Sequence, residues 1–184
     1  RLHAGHLVGD KYDLHGIIGT MLMKDPVFPV PSALIEKACS FNDYDCGHVF
    51  SLDGGIVIKT GQLNHPNGAC GYRIEFAGKS IAICTDTEHF DDRIDENVVQ
   101  LAQDADIMIY DSAYTNDEYQ NFKGWGHSTW QEALKVAEAA NVKQTFLFHH
   151  DPSHNDDRMD EISKEVSSIM DGVRPAIEGE TVTV

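Results

Sequence analysis

The chain is predicted to be an α/β unit, with sheet on the inside and helices outside, and three observations carry that expectation. Apolar runs of strand length, "DIMIYD" (Asp106–Asp111) and "TFLF" (Thr145–Phe148), alternate with stretches of helical spacing. The segment "CGYRIEF" alternates Tyr72, Ile74 and Phe76 with Arg73 and Glu75, as a half-buried strand does. No internal repeat or low-complexity linker divides the 184 residues, so 1–184 is read as a single domain, long enough for a real core.

Each element has its own signal. After an opening strand, "KYDLHGIIGTMLM" sets Leu14, Ile17, Ile18, Met21 and Leu22 at helical spacing. "KDPVFPVP" then breaks the helix, because each proline pushes its predecessor out of the α region. Two strands, "HVFSL" and "GIVIKTGQL", flank the turn signal Asp53-Gly54. A hairpin joins "CGYRIEF" to "SIAICTD" through Ala77-Gly78-Lys79. Ile94, Val98, Leu101 and Ala102 mark a helix before the strand "DIMIYD". A second helix starts at Ser128, where Gln131 three residues on completes a capping-box pattern, and turns Trp130, Ala133, Leu134 and Ala137 inward. "TFLF" is a buried strand, Met159, Ile162, Val166 and Ile169 mark the last helix, and "TVTV" reads as a terminal strand.

Composition narrows the function. The net charge is −16, from 30 acidic and 14 basic residues, with no Lys/Arg cluster. That argues against a nucleic-acid partner gripped through its phosphates and for a small-molecule substrate. No apolar run approaches the roughly 18 residues of a membrane helix, and no signal-peptide pattern opens the chain. "RLHAGHLVGD" reads as the middle of a domain. Cys39, Cys46, Cys70 and Cys84 show no CxxC spacing, and Cys84 in "SIAIC" reads as a buried reduced thiol, which predicts a cytoplasmic protein. A homo-oligomer is left open.

Polar groups recur where apolar elements begin or end. "QLNHPNGACGY" offers His65, "IAICTDTEH" Asp86, "GWGHSTW" His127, and "FLFHHDP" His149 and His150. In layered α/β proteins such loops are where sites are assembled on a rigid frame. Singly, each has a plain alternative. A lone histidine is more often a hydrogen-bonded surface or core residue, and His3, His6, His15, His48, His89 and His154 are read that way. Asp86 alone could cap a turn, and Asp151-Pro152 is an ordinary turn initiator. The joint appearance at the ends of separate elements is the signal.

"LNHPNGACGYRIEFAGKSIAICTDTE", "ADIMIYDSAYT" and "GWGHSTWQEALKVAEAANVKQTFLFHHDP" together resemble the metallo-β-lactamase fold hydrolases, in the branch with tRNase Z and related phosphodiesterases. The resemblance covers essentially the whole chain. It implies an αββα sandwich and two divalent metal ions, zinc first, with manganese or iron as alternatives. By resemblance His65 matches the third histidine on the first metal, Asp86 the aspartate bridging both, and His149 the last histidine, on the second. His127, in "HST", matches the histidine that assists the leaving group. A carboxylate between two cations offsets their repulsion, and two metals can activate water and stabilise both oxygens of a phosphodiester displacement. Alternation in a regular strand lets only one of His149 and His150 face the site; motif register selects His149, with His150 packing beneath. The expected helix start beside His127 suits anions but favours neutral imidazole. Proton donation there calls for a carboxylate, and Asp111, closing "IMIYD", is the candidate, a plain turn residue being its alternative.

The family's H-x-H-x-D-H loop does not occur here, and "HAGHLVGD", spaced H-x-x-H-x-x-x-D, does not replace it. The chain therefore resembles the part of the domain downstream of that loop, its N-terminal portion absent. Only three of the seven ligands the resemblance implies are found, so this polypeptide alone is expected to be metal-poor and inactive. The expected function of the parent protein is hydrolysis of a small phosphodiester, with cyclic nucleotides and cyclic phosphates as candidates. The alternatives are a metallo-hydrolase of another ester class, or a non-catalytic binding or regulatory domain that has lost the H-x-H-x-D-H loop. A redox di-iron site would want further carboxylates.

Overall fold

In the computed structural model, which describes residues 1–5, 13–22, 28 and 32–184, two sheets lie between helices. The larger has seven strands in chain order: β3 (Val49–Leu52), β4 (Ile56–Leu63), β5 (Ala69–Phe76), β6 (Lys79–Cys84), β7 (Ile107–Asp111), β8 (Gln144–Phe148) and β9 (Val173–Pro175). β3 to β6 pair antiparallel, β3–β4 and β5–β6 through tight turns and β4–β5 through the longer loop 64–68, whereas β6 to β9 are parallel and joined through helices. The first turn falls at the expected Asp53-Gly54 but takes in Gly55 as a third residue, with Gly54 and Gly55 at φ +86° and +84°. At the second, Ala77 and Gly78 lie at +50° and +76°, a twist matched to hairpin strands.

One face of this sheet is the core. Ala82, Cys84, Met108, Tyr110 and Leu147 are buried there under α2 (Glu96–Ala102), α4 (Trp130–Ala139) and α5 (Asp156–Ile169). Asp95 caps α2 by accepting from the amides of Asn97 and Val98. Gly71 lies where a Cβ would stand 2.7 Å from Leu101 Cδ2, 3.0 Å from Leu63 Cδ2 and 3.2 Å from the Ile83 carbonyl oxygen. Gly71→Ala should therefore overpack this contact and destabilise the fold by about 1–3 kcal/mol in urea melts.

On the opposite face, β1 (Leu2–Gly5) and β2 (Phe41–Tyr44) form a parallel two-stranded sheet. It meets the large one where His3 stacks on Phe50 and the Tyr44 and Tyr72 hydroxyls hydrogen-bond at 3.2 Å. A π-helical stretch, Gly16–Leu22, and α1 (Ser32–Ala38) stand outside β2, with the Leu14 amide bonded to Asp43 and His15 to Glu36. The layer order is helix, sheet, sheet, helix, as the sequence predicts.

Several expectations need correction. The helix around Ile17 is wound as a π-helix, with two glycines, Gly16 and Gly19, inside it. The proline-rich break and His6 lie outside the described residues. Helix α4 begins one residue later than expected: Thr129, not Ser128, caps it and accepts from the Glu132 amide. Ser128 is fully buried, its hydroxyl held by Tyr110 and His89. A short helix, α3 (Asn116–Tyr119), with a Thr115/Glu118 capping box, precedes it unexpectedly. Ile169 is exposed, not inward-facing. "TVTV" is no strand; the last strand is β9, and Val182 and Val184 instead line a cavity over the second sheet face with Ile83, Ile109 and Phe148. Among the described residues no helix is long and apolar enough to cross a membrane.

Candidate metal-dependent active site

The carboxyl ends of β6, β7 and β8 and the loop after β4 meet at one rim of the large sheet. Asp86 leaves β6 in the left-handed region at φ +60°, and His149 leaves β8 at φ +63°. Neither is glycine, so each carries backbone strain, which persists only where surroundings impose it and which clusters at functional sites. Asp86 Oδ1 stands 3.9 Å from His149 Nε2. One ligand-type atom from each of His65, Asp86 and His127 lies within 4.8 Å of the others. His149 stacks on His127 with ring centroids 4.7 Å apart, and His65 meets His127 edge-on at 5.8 Å. Residues 65, 86, 127 and 149 thus share one cluster, as expected.

Because β8 ends at Phe148, strand alternation does not decide between the two histidines. The left-handed turn does. It directs His149 to Asp86, while His150 sits beneath, its Nδ1 3.3 Å from the Ser112 carbonyl oxygen. Burial holds the His150 pKa below its ordinary value. The remaining histidines with described side chains have other partners: His3 stacks on Phe50 and His48 on Tyr44, while His15 pairs with Glu36, His89 with Ser128 and His154 with Glu118.

Asp111 is completely buried and accepts from five groups. Its Oδ2 takes His127 Nδ1 at 2.9 Å, the Asp86 amide at 2.9 Å and the Thr87 amide at 3.3 Å. Its Oδ1 takes the Ala113 amide at 3.3 Å and the Ser128 amide at 3.2 Å. Both oxygens of Asp111 are committed to these donors, and it, His127 and His149 also lie close enough to hold an ion. Its hydrogen bond to Nδ1, outweighing burial, raises the His127 pKa. The Asp111 carboxylate favours the charged form of this histidine.

Sequence reasoning missed Glu88. It is buried, and its carboxylate accepts from Tyr119 Oη at 2.7 Å and from the amides of Gly124 and Gly126 at 2.7 and 2.9 Å. Burial opposes ionisation, but these bonds win and hold Glu88 below the usual carboxylate range. A Cβ on Gly126 would fall 2.3 Å from His65 Cδ2, so the glycine turn lies directly against that ring.

The donor set suits a divalent metal. Imidazoles and one carboxylate converge, and His65 Nδ1 is buried with no hydrogen-bond partner among the described residues. A cleft of about 420 Å³ opens beside His65 and Asp86, lined also by Cys70, Tyr72, Ile83 and Thr85.

An α/β sandwich whose strand-end loops gather imidazoles around one carboxylate has the architecture of a metallo-hydrolase domain. The chain belongs to the β-lactamase superfamily: the family's domain model matches residues 25–150. Ribonuclease Z of Picosynechococcus sp. is 30% identical over 132 residues, covering 70% of this chain and 38% of that protein. Ribonuclease Z of Streptococcus mutans is 36% identical over 126 residues, covering 65% and 36%. The metallo-β-lactamase fold protein YhfI from Bacillus subtilis superposes with a TM-score of 0.62 at 19% identity, covering 80% of this chain and 59% of that one, a likeness of fold. The matched regions span little more than a third of these curated relatives' lengths.

Proposed function

We propose that the protein containing this chain is a phosphodiesterase that cleaves a small phosphodiester, such as a cyclic nucleotide or cyclic phosphate, at a dinuclear metal centre. The observation that carries the reading is the 2.9 Å bond from His127 to buried Asp111, beside Asp86, whose Oδ1 stands 3.9 Å from His149 Nε2, and the His65 ring. His65, Asp86 and His149 would hold metal, with Asp86 as the shared carboxylate. Bound divalent metal supplies Lewis-acid polarisation of a phosphoryl oxygen and a nucleophilic water at neutral pH. The chain's own part is proton transfer: His127 Nε2 gives its proton to the departing oxygen, and Asp111 stabilises the imidazolium beforehand and keeps Nδ1 protonated. The cleft beside His65 and Asp86 is of a size for a small molecule.

The relatives' name, ribonuclease Z, favours RNA as a second reading, and the −16 charge opposes it. The test is turnover by the full-length protein, metal bound, of bis(p-nitrophenyl) phosphate, cyclic nucleotides and an RNA with a 3′ extension. Hydrolysis of the small diesters in preference to RNA is expected. Zero turnover of every phosphodiester would remove the reading.

A further inference from the structure

We propose that Glu88 is a positioning residue that divides its work, its main chain seating His65 and its carboxylate aiming His127. The main-chain half is a pair of bonds: the Glu88 amide donates to the Asn64 carbonyl at 2.7 Å, and Asn64 Nδ2 donates to the Glu88 carbonyl at 2.9 Å. Asn64 precedes His65, so this pair fixes where the imidazole starts. The side-chain half is the clamp on the turn Gly124-Trp125-Gly126, which leads directly into His127. Gly124 and Gly126 both sit at positive φ, +88° and +92°, so this turn has backbone freedom to lose its shape. Tyr119 Oη, from α3, braces the carboxylate from behind at 2.7 Å. The same carboxylate also sets a negative charge near the His127 ring.

Substitution can separate the two halves. In Glu88→Gln the main-chain bonds to Asn64 survive. The amide, however, offers one acceptor oxygen where the carboxylate offers two. With the oxygen placed toward Tyr119 and Gly124, the NH2 confronts the Gly126 amide. Flipped, it confronts the Gly124 amide. Either way one glycine N–H faces a donor instead of an acceptor, and the turn shifts while His65 keeps its seat.

The catalytic arm of the test rests on the phosphodiesterase reading; the structural arm does not. In full-length protein, Glu88→Gln should move the backbone amide resonances of Gly124 and Gly126 and leave bound metal per protein unchanged. Turnover of a diester with an alkyl leaving group, which departs only with a proton, should fall about 100-fold. Turnover of bis(p-nitrophenyl) phosphate, whose leaving group departs unprotonated, should fall less than about 3-fold. Tyr119→Phe, which keeps both glycine bonds, should retain the wild-type ratio of the two substrates. Unmoved glycine resonances, loss of metal, or equal slowing of both substrates overturns the assignment. A wild-type protein that cleaves no phosphodiester would sink the functional reading alone, because the glycine resonances and metal content still decide the clamp.

Discussion

Asp111→Asn is expected to lower turnover of alkyl phosphodiesters by about 100- to 10,000-fold and to destabilise the fold on the order of 3 kcal/mol. The reason is the number of donors that meet the carboxylate. His127 Nδ1 and the amides of Asp86, Thr87, Ala113 and Ser128 all point at it, and each oxygen is shared. An asparagine keeps the shape but turns one acceptor into a donor, so at least two of these groups lose their partner in either orientation. If the NH2 faces Oδ2's former partners, His127 Nδ1 must become an acceptor. Its proton then moves to Nε2 in the neutral tautomer, and the bond that raised the His127 pKa is gone. The imidazolium population at neutral pH falls with it, and so does proton donation. The Asp86 amide is released at the same time, which loosens a residue held at φ +60°. Steady-state rates on alkyl and nitrophenyl diesters, with thermal melts in parallel, check the claim. A variant that melts like wild type and cleaves both diesters normally would show Asp111 to be a turn residue only.

The fold was largely legible, because burial writes itself into local pattern. "DIMIYD" puts Met108 and Tyr110 under the helices and Ile107 and Ile109 on the second face, and a continuous apolar run predicts a strand covered on both sides. β9 was not legible, since "VRP" carries one buried branched residue and gets its place from pairing with β8. The α4 boundary slipped for a similar reason. Ser128 and Thr129 can both cap a helix, Ser the better by type, and only the interior hydroxyl partners Tyr110 and His89 take Ser128 away from the helix. At the site, His65, Asp86, His127 and His149 could be found because each follows or precedes an apolar element. Glu88 could not. Its partners stand 31, 36 and 38 residues away, and nothing near "TDTEH" marks that glutamate for burial.

His149→Gly is expected to separate stability from metal binding. In an ordinary position alanine is more favourable than glycine, by roughly 0.5–1 kcal/mol, because glycine loses more backbone freedom on folding. At φ +63° the order should reverse. The left-handed conformation costs an L side chain roughly 1–2 kcal/mol, which glycine avoids. Metal-free His149→Gly should therefore melt within about 1 kcal/mol of wild type, the relieved backbone offsetting glycine's entropy and the lost stacking on His127. His149→Ala keeps the strain, loses the ring, and should be the least stable of the three. Both variants should lose metal affinity by more than the ~10- to 100-fold that removing an outer partner of a ligand costs. Apo melts by circular dichroism and competitive chelation with the full-length proteins measure the two quantities separately. If alanine proves as stable as glycine, the strain at residue 149 is not real. If either variant keeps wild-type affinity, His149 is not a ligand, and a strained backbone beside Asp86 needs another purpose.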